Sequence, residues 1–296
     1  MRLRDIYAQP GLKLSIEFFP PKTAEGVKKL MEEAEVLSAL HPNYCSVTYG
    51  ATGSTRDTTV EMVERIHLER GLDVMCHLTV VGQSKDDVRT VLSDLKRRGI
   101  ENIIALRGDP PRGEVEWQQH PDGFLYSVDL VREARRHDWF SIAVAGFPET
   151  HPQAESPEAD LRFLKEKVDA GADVVITQLF FENDDYRRFV ERSREIGITV
   201  PIVPGVMPIL SANQITRITN LCGAKIPPRL QSLLDAVAGD DEAAVQMGID
   251  FATEQVAGLI EYGVPGVHFY ALNRSRSTTE ILDNLGLTDA RERAAL

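Results

Sequence analysis

Three cysteines in 296 residues, Cys45, Cys76 and Cys222, form no CxxC pair and are too few for a disulfide framework. They suit a reducing cytosol. No apolar run reaches the ~18 residues of a membrane span, and Met1-Arg2-Leu3-Arg4-Asp5 leads into no apolar segment of a signal peptide. A soluble cytoplasmic protein without a membrane partner is expected. The formal net charge is −12 and no long basic run interrupts it, so nucleic acid is not expected as a partner. Local basic groups can still hold a small anion. No GxGxxG follows a strand and no GxxxxGK[ST] occurs, so any nucleotide is held without a Rossmann or P-loop cradle. No HxH or HExxH pair points to a metal, and none is expected.

What is present is an ordinary globular composition, 43% hydrophobic and 26% charged, long enough for one barrel-sized domain or two smaller ones. The stretch Lys13-Leu14-Ser15-Ile16-Glu17-Phe18-Phe19-Pro20-Pro21 reads as a first strand. Alternation puts Leu14, Ile16 and Phe18 on a face suited to packing under helices. Lys13, Ser15 and Glu17 fall on the other face, which suits the lining of a pocket. Pro20 and Pro21 cannot extend a ladder, so the strand stops just past Glu17. Taken alone, that carboxylate could be a surface group at a strand end.

The rest of the chain alternates strand and helix patterns. Thr23 and Ser84 are helix caps, and Gly71, Gly99, Gly171 and Gly197 follow helix ends. Strands are predicted near 43–49, 72–81, 100–106, 140–145, 173–179, 200–204 and 266–270. Helices are predicted between them, with 223–238 irregular or only partly helical and a long helix over about 240–262. Eight strand–helix units with mostly short connections predict an α/β fold, a single-domain (β/α)8 TIM barrel over 1–296. An open doubly wound sheet is the alternative.

Barrel chemistry gathers at the C-terminal ends of the strands. Those ends offer Glu17; Ser46, Thr48 and Tyr49; His77 and Thr79; Arg107 and Asp109; His151; Gln178; and Asn273 with Arg274. Any one of them has a bland structural reading. A polar group from nearly every unit at one end is not what a purely structural barrel needs. Glu17 and Asp109 are two carboxylates that environment can push toward different roles. His77, Arg107, His151 and Lys167 suit hydroxyls and phosphate, and Asp160, Phe163 and Lys167 share a helix face.

Ser15-Ile16-Glu17-Phe18-Phe19-Pro20-Pro21, Ser46-Val47-Thr48-Tyr49-Gly50-Ala51, Cys76-His77-Leu78-Thr79 and Ala105-Leu106-Arg107-Gly108-Asp109 resemble motifs of the methylenetetrahydrofolate reductase family. So do Pro148-Glu149-Thr150-His151-Pro152, Lys167-Val168-Asp169-Ala170-Gly171-Ala172, Ile176-Thr177-Gln178 and His268-Phe269-Tyr270-Ala271-Leu272-Asn273-Arg274. The resemblance runs from residue 15 to 276 and implies a flavin-bearing barrel. That barrel would reduce 5,10-methylenetetrahydrofolate to 5-methyltetrahydrofolate with NADH or NADPH, through FAD and by ping-pong kinetics. It implies flavin contacts at Thr48, Tyr49, Ala51, His77, Arg107, Gly108, Asp109, Phe147, His151, Ala154, Asp160 and Lys167. It implies folate contacts at Asp109, Gln178, Gln214 and Arg274, with Glu17 as general acid. A homo-oligomer is expected, and no regulatory domain.

The implied chemistry fits the residue types. A methylene bridging two folate nitrogens accepts hydride poorly until its ring opens, and opening needs a proton donor. A carboxylic acid beside Phe18 and Phe19 is expected to keep its proton near neutral pH by desolvation. Gln178 can donate to and accept from a pterin edge, and Arg274 can pair with the glutamyl carboxylate. Asp109 would meet the pterin and influence the flavin. Three positions depart from the family's bacterial pattern: Phe147 stands for tyrosine, Phe163 for an amide and Glu166 for a basic residue. A weakened grip on flavin is expected, and a binding subunit without turnover or a flavin-free pterin methyltransferase barrel are the competing functions.

Overall fold

The computed structural model describes residues 1–48, 56–109 and 119–296. Among them the strands are β1 (Lys13–Phe18), β2 (Tyr44–Val47), β3 (Val74–Thr79), β4 (Asn102–Leu106), β5 (Ser141–Gly146), β6 (Val174–Thr177), β7 (Ile202–Val203), β8 (Gly205–Val206) and β9 (Gly266–Tyr270). All pair in parallel, in the order β7-β6-β5-β4-β3-β2-β1-β9-β8. The two ends of that order are consecutive in the chain. Pro204 separates them, and a proline has no N–H to give to a ladder. Its carbonyl still accepts from His268 N at 3.0 Å. β7 and β8 are therefore two halves of one stave, which pairs with β6 through its first half and with β9 through its second. The sheet closes as an eight-stave parallel barrel, as the sequence predicts.

The helices are α1 (Leu3–Ala8), α2 (Ala24–Ser38), α3 (Arg56–Arg70), α4 (Lys85–Arg97), α5 (Ser127–Arg135), α6 (Pro157–Asp169) and α7 (Asn183–Glu195). Then come α8 (Ala212–Cys222), α9 (Pro228–Ala236), α10 (Asp241–Tyr262), α11 (Arg276–Asn284) and α12 (Ala290–Ala294). Thr23 Oγ1 accepts from Gly26 N at 3.1 Å, and Ser84 closes a capping box with Asp87. Each such cap stabilises its helix by about 1 kcal/mol. The segment 223–238, expected to be irregular or only partly helical, carries α9. Pro228 starts that helix, and Leu230 and Leu234, one turn apart, seat it against Leu179, Met207 and Ile215.

β1 divides as its alternation predicts. Leu14, Ile16 and Phe18 join the large apolar core under the helices, while Ser15 and Glu17 face the barrel interior beside residues of β2, β3 and β9. Burying Phe18 stabilises the fold by about 1.5–3 kcal/mol. The N-terminal end of the interior holds a smaller cluster of Tyr44, Met75, Ile104, Val174 and Val203. Helix α1 seals it with Leu3 and Ile6. The free N–H groups of α1 are taken up by strand starts: Leu3 N donates to Asn102 Oδ1 at 2.8 Å, and Arg4 N to Ser141 Oγ at 3.1 Å. With one end plugged, any ligand must enter from the other.

Candidate active site

Glu17 stands next to the end of β1, in register with Ser46 of β2 and Tyr270 of β9. It is 5% exposed, so burial alone raises its carboxyl pKa. Two imidazoles outweigh burial. Oε2 lies 3.2 Å from His77 Nε2 and 3.3 Å from His268 Nε2, with Ser46 Oγ donating at 3.5 Å. Their positive charge and hydrogen bonding hold the carboxyl down at about 2. This corrects the expectation that two phenylalanines keep Glu17 protonated. Phe18 points away into the core and Phe19 is 41% exposed at the rim, so neither dries the carboxylate. The other nitrogen of His268, Nδ1, is 2.8 Å from Ser15 Oγ. The Glu17 carboxyl is thereby held in its ionised form.

On one side of Glu17 lie the groups expected to bind flavin. Thr79 Oγ1 is buried and finds no hydrogen-bond partner among the described residues, whereas His77 Nε2 is engaged by Glu17 Oε2. Thr48 N donates to Phe18 O at 2.9 Å, which ties β2 to the end of β1. Arg107 follows β4, and Gly108 turns the chain there at φ +82°, where an added Cβ would lie 2.5 Å from Val81 Cγ1. Arg107 Nη2 is 3.8 Å from Asp109 Oδ1, and the Asp109 carboxylate is largely exposed. Arg107 and Gly108 open onto a cleft lined also by Val81, Gln119, Leu125, Tyr126 and Gln153.

The loop after β5 is folded tightly. Phe147 and His151 meet edge to face at 4.5 Å, Ala154 N donates to His151 O at 2.8 Å, and Asp160 Oδ2 accepts from His151 N at 2.9 Å. Burial pushes the His151 imidazole pKa down. Lys167 Nζ donates to Ala145 O at 2.7 Å, and burial lowers its pKa to about 8. Phe163, on the same helix, is 58% exposed, and Glu166 is exposed too. Tyr49 and Ala51 lie outside the described residues.

The groups expected to bind folate are on the opposite staves. Gln178 follows β6, with its backbone N donating to Gly146 O at 2.8 Å and its Oε1 accepting from Leu179 N at 2.9 Å. Gln214 sits in the first turn of α8, with Oε1 accepting from Leu210 N at 3.0 Å and a buried Nε2 left without a partner among the described residues. Arg274 is exposed after β9. Among the described residues, no hydrogen bond or ion pair joins Asp109, Gln178, Gln214 or Arg274 to the Glu17 cluster.

Tyr270 crosses the barrel, and its hydroxyl donates to Thr177 O at 2.6 Å. Only glycine fits beneath it, since a Cβ on Gly205 would lie 2.6 Å from the ring. Sequence reasoning gave no role to His268, which falls on the same face of β9 as Tyr270, or to Tyr126, an exposed aromatic just before α5. Period-two alternation is the signal that could have found the first. No group of three or more His, Cys, Asp or Glu among the described residues is placed to hold a metal. No described helix is long and apolar enough to cross a membrane.

A plugged parallel barrel with its buried carboxylate, imidazoles and cations all at the C-terminal rim belongs to the class of (β/α)8 barrels that act on a ligand held there. The chain is a member of the methylenetetrahydrofolate reductase family, whose profile matches residues 2–286. It is 40% identical over 299 residues to methylenetetrahydrofolate reductase (NADH) 1 of Arabidopsis thaliana, an alignment covering 97% of this chain and 50% of the plant protein. It therefore spans about half the length of the plant relatives it matches. It is 38% identical over 279 residues to the 5,10-methylenetetrahydrofolate reductase of Escherichia coli, covering 94% of this chain and 92% of that protein. Among solved structures, an uncharacterised Clostridium thermocellum protein that binds two copies of 5-methyl-5,6,7,8-tetrahydrofolic acid shares the fold, with a TM-score of 0.62 at 14% identity, over 97% of this chain and 98% of that one.

Proposed function

We propose that this chain reduces 5,10-methylenetetrahydrofolate to 5-methyltetrahydrofolate, with NADH or NADPH as electron donor and FAD as resident cofactor. Family membership supports the reaction. The observation that carries it is the buried Glu17–His77–His268 cluster, with Thr79 Oγ1 and Gln214 Nε2 left unpartnered among the described residues. Thr48, His77, Arg107, Gly108, Asp109, Phe147, His151, Ala154, Asp160 and Lys167 would hold FAD. Thr79 Oγ1 lacks a partner among the described residues without such a group. FAD held there would supply the hydride-transfer chemistry between the nicotinamide and the folate.

The chain's own part is binding and proton delivery. Arg107 and Lys167 supply positive charge for a diphosphate, and Lys167 regains its proton when an anion arrives. Gln178 and Gln214 offer amides to the pterin, and Arg274 its guanidinium to the glutamyl carboxylate. Glu17, whose Oε2 both imidazoles contact, would deliver the proton to the substrate nitrogen that opens the methylene-bridged ring. Ser15, bonded to His268 Nδ1, fixes which nitrogen of that ring faces Glu17.

The two redox ligands would use one face in turn, which gives ping-pong kinetics. We further infer a cytoplasmic homo-oligomer with the whole of 1–296 as its catalytic domain. The test is a visible spectrum followed by anaerobic NADH. The expected result is a yellow protein that bleaches and regains colour on adding methylenetetrahydrofolate. A colourless protein, or a flavin that the folate does not reoxidise, would overturn it.

A further inference from the structure

β9 ends at Tyr270, and the next turns of chain are unusual. Leu272 and Asn273 are both left-handed, at φ 54° and 55°. Asparagine tolerates that region; leucine does so only under strain. What holds the turn is a pair of bonds to the end of β1. Phe19 N donates to Asn273 Oδ1 at 2.7 Å, and Asn273 Nδ2 donates to Phe19 O at 2.8 Å. The side-chain carboxamide thus acts as one more peptide unit of β9, continuing the ladder past the Glu17–Tyr270 rung. Two residues on, Ser275 N donates to Glu33 at 2.7 Å. Arg274 lies between these two anchors.

We propose that Asn273 is a positioning residue that joins Phe19 and Arg274 into one rigid edge of the site, which receives the aryl-glutamate end of the folate. The inference rests on the folate reading above and deepens it. The ring of Phe19 is 41% exposed at the rim, although most phenylalanines of this chain are buried. Arg274, which is exposed, directly follows Asn273 in the chain. A flat ring and a guanidinium carried by the joined ends of β1 and β9 match a benzoyl group followed by a carboxylate. A turn held by strain at this place suits preorganisation better than simple barrel closure, which the rungs from Lys13 to Glu17 already provide.

Asn273→Gly separates the possibilities, because glycine accepts the left-handed turn but removes both bonds. The readout is KM for 5,10-methylenetetrahydrofolate and for 5,10-methylenetetrahydropteroate, which lacks the glutamate. A wild-type flavin spectrum serves as the check of fold. Asn273→Gly is expected to raise KM about tenfold for the first substrate and about threefold for the second, which keeps only the ring contact. Asn273→Asp, which still accepts from Phe19 N, falls between. The double variant with Arg274→Ala is no worse than Arg274→Ala alone. A glycine variant equal to wild type on both substrates, or equally impaired on both, would overturn the role. Wild-type protein that reduces neither substrate would overturn the functional reading itself, and this inference with it.

Discussion

Glu17 Oε2 and His268 Nε2 lie 3.3 Å apart across 251 residues of chain, inside a barrel that buries both side chains. With His77 on the far side of the same oxygen, the carboxylate is the acceptor of two imidazoles and not a lone acid. The difference bears on both catalysis and stability.

Glu17→Gln removes the route by which the proton reaches the substrate while keeping the side chain's shape. We expect folate reduction to fall about 10²–10⁴-fold, the usual range for a general acid, with flavin reduction by NAD(P)H nearly unchanged. Stopped-flow measurement of the two half-reactions checks this. Equal loss in both would remove Glu17 from proton transfer.

The same pair fixes a pH dependence. The carboxyl of Glu17 is lowered from 4.5 to about 2 by its imidazole neighbours. A depressed carboxyl stabilises the fold above its unfolded pKa, and that contribution disappears as pH falls through the folded value. The window is therefore pH 4.5 down to 2. In Glu17→Gln this component of the acid-induced fall in Tm should be missing, and Tm curves of the two proteins should converge toward pH 2. Parallel curves across that window would contradict the pairing.

Much of the frame was legible because it is local. Thr23 and Ser84 cap their helices within three residues, and the Pro20-Pro21 stop sets where β1 ends. The face of β1 follows from alternation. The environment of Glu17 was not legible, since His77 and His268 come from strands 60 and 251 residues away and only barrel closure brings them in. α1 also escaped notice. Six residues have little helical tendency alone, and this helix exists because Leu3 and Ile6 fill the barrel end. α9 was underread because its support is tertiary, from Leu179 and Met207.

Lys167 should report cofactor binding as proton uptake. Its pKa of about 8 leaves it partly neutral at pH 8, and an arriving diphosphate favours the charged form. FAD binding at pH 8 is then expected to take up a fraction of a proton. Calorimetry in buffers of different ionisation enthalpy measures this, and Lys167→Met should abolish it. Uptake unchanged in that variant would place the titrating group elsewhere.

Phe163 and Glu166 are both exposed on α6, so solvent screens the charge of Glu166 and neither change is severe. We expect a FAD affinity about tenfold short of what an amide and a base would give, and protein that emerges from gel filtration with incomplete flavin. Glu166→Arg should raise the flavin content. Stoichiometric FAD in the unaltered protein, with no gain in the variant, would rule this out.

The break at Pro204 has a mechanical consequence. Its stave is held by two rungs on each side, where β3 and β4 share five. Local opening begins where the fewest backbone bonds must yield, so the amides of Ile202, Val203, Gly205 and Val206 should exchange with deuterium fastest in the sheet. This seam runs between the strand that leads to Gln178 and the strand that leads to Arg274. The proposed folate half of the rim is thus the compliant half of the cylinder, and the cofactor half is the stiff one. Successive ligands could come and go by loosening one side alone, with the flavin's bed undisturbed.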